Sequence, residues 1–91
     1  MQNIKNYKFI EELKLLPFVK EVWLYGSRAR GYNEEKSDID LAIICNENYD
    51  SSKITEIIEN ADTLLEIDYI DFNKLKDNKF KERVRKEKVV L

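Results

Sequence analysis

The stretch Gly26-Ser27-Arg28-Ala29-Arg30-Gly31, continued after a polar loop by Asp38-Ile39-Asp40-Leu41-Ala42-Ile43-Ile44, decides how this chain is read. Gly26-Ser27 interrupts one apolar run, and Asp38 and Asp40 stand at the mouth of a second. Side chains alternate faces along a strand, so Asp38 and Asp40 share a face with Cα atoms about 6.5–7 Å apart. Carboxylates that close repel each other unless cations neutralise them, and two Mg²⁺ ions about 3.5–4 Å apart fit between acids so placed. A glycine at a strand end lets the backbone turn sharply and lets a ligand approach it, while the amides that follow and the Ser27 hydroxyl can meet phosphate oxygens. Taken alone, Gly26-Ser27 reads first as a tight turn with a Ser N-cap. Asp40 shifts the balance, because it lies between Ile39 and Leu41 where the strand becomes apolar, and a buried carboxylate is costly unless paired or metal-bound.

The flanking chain supplies the frame. Val19 to Tyr25 reads as a strand with Trp23 and Tyr25 on one face and Val22 and Leu24 on the other, the pattern of a central strand covered on both sides. Asp38 to Cys45 is a second such strand, and Leu64 to Ile70 a third. In the third, Leu65, Ile67 and Tyr69 share one face while Glu66, Asp68 and Ile70 share the other. Asp68 is therefore the candidate third carboxylate, with Asp71 as the alternative at the strand end. Asn3 to Leu16 carries apolar residues at helical spacing from Ile4 to Leu16, with Asn3 as the expected N-cap and Pro17 as the stop. Ser27 to Arg30 is expected to make one helical turn ended by Gly31. A short amphipathic helix follows over Ile54 to Ala61, and a last helix begins at Asn73. Val89-Val90-Leu91 is left as a short edge strand or a docking tip. The element order predicts an α/β chain of the two-layer α+β kind, a small mixed sheet covered by helices, in one domain spanning 1–91.

Composition narrows the chemistry. The chain has no histidine, which excludes Ser-His and Cys-His nucleophiles and histidine-ligated metals and leaves carboxylates with oxygen-preferring cations. A net charge of −2 argues against general nucleic-acid or anionic-membrane binding, although basic residues outnumber acidic ones eight to three between Lys74 and Lys88. The lone Cys45 lies in an apolar run and reads as a reduced, buried small hydrophobe. No run approaches the ~20 apolar residues of a membrane span and no apolar leader precedes the first helix, so a soluble, cytoplasmic protein is expected.

These residues resemble the minimal nucleotidyltransferases of the DNA polymerase beta superfamily. That pattern, hydrophobic-Gly-Ser followed by Asp-hydrophobic-Asp-hydrophobic, is matched by Tyr25-Gly26-Ser27 and Asp38-Ile39-Asp40-Leu41, and the Gly-Ser-x-Ala-x-Gly of short prokaryotic members by Gly26, Ser27, Ala29 and Gly31. The resemblance implies transfer of a nucleoside monophosphate from an NTP such as ATP to an acceptor, with two Mg²⁺ ions held by Asp38, Asp40 and Asp68. It also implies that Gly26 and Ser27 hold the β- and γ-phosphates. Arg28 and Arg30 flank Ala29 on the turn beside that site, where helical spacing lets at most one of them face the nucleotide and either reads equally well as a solvated arginine; Ser37 is a further nucleotide-binding candidate. Short members resemble the antitoxin half of a pair with a HEPN toxin, which implies AMP transfer to a tyrosine of that partner and a complex with it. Two rivals stay open: a module that neutralises a toxin by occlusion alone, and transfer to RNA.

Overall fold

The alternation that marks Val19–Tyr25 as a two-faced strand sets the centre of the sheet. A computed structural model describes residues 4, 7–46 and 49–91, and in it this strand, β1, occupies the predicted bounds. Its partner β2 (Ile39–Cys45) runs antiparallel to it, with Trp23 opposite Ala42 and Tyr25 opposite Asp40. β3 (Ile67–Asp71) pairs parallel with β2, and β4 (Val89–Val90) pairs antiparallel with β1, giving the order β3-β2-β1-β4. Parallel neighbours need a crossover, and the helix α3 (Ser51–Glu59) supplies it between β2 and β3.

Both faces of the sheet are covered. On one, Val22, Leu24, Leu41 and Ile43 pack with Phe9, Ile10 and Leu13 of α1 (Lys8–Leu15) and Ile54 of α3. Burying each such side chain contributes about 1.5–3 kcal/mol. On the other, Trp23 and Ala42 meet Phe72 and Val84, and Tyr25, Ile70 and Phe80 border them. Val84 and Phe80 belong to α4 (Asn78–Glu87), which therefore lies across the end of the sheet where Tyr25 and Asp40 sit.

Several boundaries differ from the sequence reading. The expected cap Asn3 lies outside the described residues. Tyr7 is extended (φ −69°, ψ 136°), so α1 begins only at Lys8, and Ile4 and Tyr7 are buried without belonging to the helix. Leu16, extended as the residue before Pro17 must be, closes that helix. Asp50 accepts from Ser52 N–H (2.9 Å) and starts α3 before Ile54. β3 starts at Ile67 rather than Leu64, because Thr63 Oγ1 accepts from Leu65 N–H (3.1 Å) in a turn that leaves Leu64 fully exposed. The last helix is divided in two: Asp71 caps a single 3₁₀ turn, Phe72–Lys74, and Asp77 then caps α4, accepting from Lys79 N–H (3.0 Å) and Phe80 N–H (3.2 Å). Between the two Asp caps the chain straightens at Leu75. Val89-Val90 is an edge strand, and Leu91 is buried with its N–H on Val22 C=O (2.9 Å). Cys45 is buried, and that burial pushes its thiol up to about 11. Among the described residues no helix is long and apolar enough to cross a membrane.

Candidate active site

Register places one residue from each of three strands in a row. Tyr25 is opposite Asp40, and Asp40 is opposite Asp68, so the three share the face of the sheet that α4 covers. Adjacent strands lie ~4.8 Å apart, which sets the two carboxylates side by side. Asp38 precedes Asp40 by two residues and continues the same face at the mouth of β2, exposed to solvent.

The electrostatics record this convergence. Burial, then the Asp68, Asp38 and Glu87 carboxylates, raise Asp40 above the usual carboxylate range. Burial and the charges of Asp40 and Asp68 raise the Tyr25 phenol as well. Hard carboxylate oxygens on neighbouring strands, mutually repelling and joined by no histidine, suit a divalent cation such as Mg²⁺. Among the described residues no group of three or more acidic or cysteine side chains is drawn together closely enough to hold a metal ion.

Gly26 closes the site from the β1 side. Its backbone lies at φ 78°, ψ −156°, a region that side-chain-bearing residues rarely adopt, and a Cβ there would run into the Asp40 carboxylate. The helical turn α2 (Ser27–Arg30) follows, with Gly31 left-handed at φ 80° as its terminator. The predicted turn is thus present, and its glycine is pressed against the central acid. Ser27 is half-buried at its head.

The two arginines of the turn diverge, as helical spacing requires. Arg28 donates to Ser37 C=O through Nε (3.1 Å) and Nη2 (2.8 Å) and to Glu35 C=O (3.1 Å), holding the loop that leads into β2. Ser37 Oγ accepts from Glu34 N–H (2.8 Å) within that same loop. Arg28 and Ser37 are therefore engaged in loop structure, whereas Arg30 reaches Glu87 beside the site, Nε to Oε2 3.4 Å.

Asp71 belongs to the other side of the sheet. It accepts from Tyr49 O–H (2.5 Å) and from Asn73 N–H (3.0 Å), and Lys74 lies 3.9 Å away. Of the two acids left open by the sequence, Asp68 is the one beside Asp40. Asp71→Ala is expected to cost about 1–2 kcal/mol, the scale of a lost cap plus a buried hydrogen bond. Measured by urea unfolding alongside an activity assay, it should leave any transfer within a few-fold of the parent, while Asp68→Ala should not.

Glu87 and Arg83 escaped the sequence reading. They sit at i and i+4 on a densely charged helix, a pattern indistinguishable from a solvated face. Only the path of α4 across the sheet brings Glu87 to Gly26, with Arg83 beside Glu87.

A family model described as "Polymerase beta, Nucleotidyltransferase" matches residues 7–91. A probable protein adenylyltransferase MntA of Haemophilus influenzae (strain ATCC 51907 / DSM 11121 / KW20 / Rd) is 34% identical over 73 residues, 77% of this chain and 63% of the relative. Two solved structures share the fold. One, described as a toxin-antitoxin with AMP-PNP, has a TM-score of 0.67 at 19% identity, covering 91% of this chain and 66% of that one. The other, a mutant toxin-antitoxin MntA-HpeT, has a TM-score of 0.64 at 16% identity with the same coverage. The chain thus spans just under two thirds of the length of these relatives.

Proposed function

Since the chain belongs to the polymerase beta nucleotidyltransferase family, we propose that it transfers AMP from ATP to an acceptor hydroxyl, a tyrosine of a partner HEPN toxin, and acts as the antitoxin of that pair. The observation that carries the reading is the row Tyr25, Asp40, Asp68 across three strands with Gly26 set against Asp40. The relative named as a probable protein adenylyltransferase and the toxin-antitoxin structure with AMP-PNP support the donor and the partner class.

In this mechanism Asp38, Asp40 and Asp68 hold Mg²⁺, which when bound supplies positive charge at the triphosphate and polarises the α-phosphorus. Gly26 offers its open backbone, and Ser27 its hydroxyl, to the β- and γ-phosphates, aligning the α-phosphorus with the acceptor. The acceptor oxygen forms a bond to the α-phosphorus as the bond to the β-phosphate oxygen breaks, and pyrophosphate leaves. Asp68, exposed at the outer edge of the row, takes the acceptor proton. Alignment and charge neutralisation account for most of such catalysis, which is why no histidine is needed.

The test mixes the purified protein with Mg²⁺, α-labelled ATP and the product of the adjacent gene. Label on that partner, lost with Asp40→Ala, is the expected result. Neutralisation of the partner that survives Asp40→Ala, with no label transferred, would instead establish occlusion, and label appearing on added RNA alone would redirect the reading to RNA ends.

A further inference from the structure

Glu87 is the last residue of α4, the end of a helix where a negative charge is electrostatically unfavourable. Its carboxylate is nonetheless largely enclosed, its side chain 9% exposed, and the charges of Asp40 and Asp68 lie on the same side of the sheet. One hydrogen bond and two ion pairs hold it there. Gly26 N–H donates to Oε1 at 3.0 Å, Arg30 Nε lies 3.4 Å from Oε2, and Arg83 Nε lies 3.8 Å from Oε1. One backbone amide and two guanidinium groups around an oxyanion is also the donor set that recognises a phosphate group.

We propose that Glu87 is an internal phosphate mimic: its carboxylate competes with the triphosphate tail for Gly26 N–H, Arg30 and Arg83, and nucleotide binding transfers these donors from Glu87 to phosphate oxygens. This rests on the nucleotidyltransferase reading above and adds Arg83 and Arg30 as phosphate-binding residues gated by Glu87. The geometry explains why an acid is placed where a polyanion must dock. A carboxylate in that position keeps the amide and both guanidinium groups aligned, and it repels triphosphate until the donors exchange. Because Glu87 ends α4 one residue before β4, its displacement shifts the junction by which the C-terminal strand is tied to β1.

The competition predicts that removing the charge favours phosphate. In titrations of the full chain with Mg²⁺ present, Glu87→Gln should bind AMP-PNP and pyrophosphate about five-fold more tightly, the scale of one partly exposed ion pair released. AMP, which lacks the β- and γ-phosphates, should bind with unchanged affinity. Arg83→Gln should weaken AMP-PNP and pyrophosphate and again spare AMP. Should the Gln variant unfold, Glu87→Asp retains the charge but shortens the reach to Gly26, and it carries the same expected direction. If the parent binds AMP-PNP and the Glu87 variants bind it equally or less tightly, Glu87 is only a helix anchor or a cation ligand and the mimic is wrong. If the parent itself binds neither AMP-PNP nor pyrophosphate, the nucleotidyltransferase reading fails and this proposal falls with it.

Discussion

Replacing Asp40 by Asn is expected to lower nucleotidyl transfer by a factor on the order of 10³ or more while making the protein harder to unfold. The loss of activity follows from position. Asp40 stands in the middle of the row, between Tyr25 and Asp68, with Gly26 against its carboxylate. The gain in stability follows from charge. Burial, Asp68, Asp38 and Glu87 all raise Asp40 above its ordinary value of 3.8, so its ionised form is less favourable in the folded protein than in the unfolded chain. Between the ordinary value and the raised one the native state binds more protons than the unfolded state. Stability therefore falls as pH rises through that window, and the deficit persists above it. Asparagine has no charge to desolvate and keeps the shape, so the variant should melt higher than the parent at neutral pH, with the gap closing as pH falls below the window. Mg²⁺ should raise the melting temperature of the parent more than that of the variant, because the cation relieves a repulsion that the variant lacks. Thermal melts with and without Mg²⁺ from acid to neutral pH check all three statements. An Asn variant that melts lower at neutral pH, or that gains as much from Mg²⁺, would remove the electrostatic basis of the site.

How far the sequence alone leads can be judged from particular residues. β1 lies within the bounds its alternation sets, and the faces assigned to Val22, Leu24, Trp23 and Tyr25 are those observed, because a strand covered on both sides repeats a two-residue pattern that nothing local opposes. The Gly26 turn and the parity of Asp38 and Asp40 were legible for the same reason. The choice between Asp68 and Asp71 was not, since it depends on the parallel register of β3 against β2, a long-range property. Helical spacing from Ile4 through Leu16 fits one long helix, yet Tyr7 is extended and the α-helix starts at Lys8. Ile4 and Tyr7 are buried by tertiary packing outside that helix. Arg28 and Arg30 could not be told apart until the loop carbonyls of Glu35 and Ser37 were seen to claim Arg28. Glu87 gave no signal at all, because its role comes from α4 crossing the face of the sheet and not from any spacing within the helix.

The second large effect is expected at Gly26, where substitution by Ala should both destabilise the fold and disable transfer. Two costs act together. At φ 78°, ψ −156° an L side chain is strained, typically by about 1–3 kcal/mol. The added methyl would also press on Asp40, within 3.3 Å of its Cγ and 3.4 Å of its Cβ and nearer still to a carboxylate oxygen. That side chain can yield only by rotating away, which moves the central acid out of the row it shares with Asp68. Since a displacement of about 1 Å in a positioned group can cost 10²-fold in rate, transfer should drop by at least that factor even where the variant is still folded. The strain and the displacement are separable by comparison. Gly31 is also left-handed, at φ 80°, but nothing lies within 4 Å of a Cβ built there. Gly31→Ala carries the backbone strain alone, in a left-handed conformation that L residues tolerate better, so it should lose less stability than Gly26→Ala and retain most of the transfer activity under conditions where both variants are folded, as judged by urea unfolding and α-labelled ATP assays. If the two alanine variants lose activity in parallel, the contact with Asp40 has no special part in the chemistry. If Gly26→Ala alone loses it, the glycine is required because the Asp40 carboxylate lies directly against the turn.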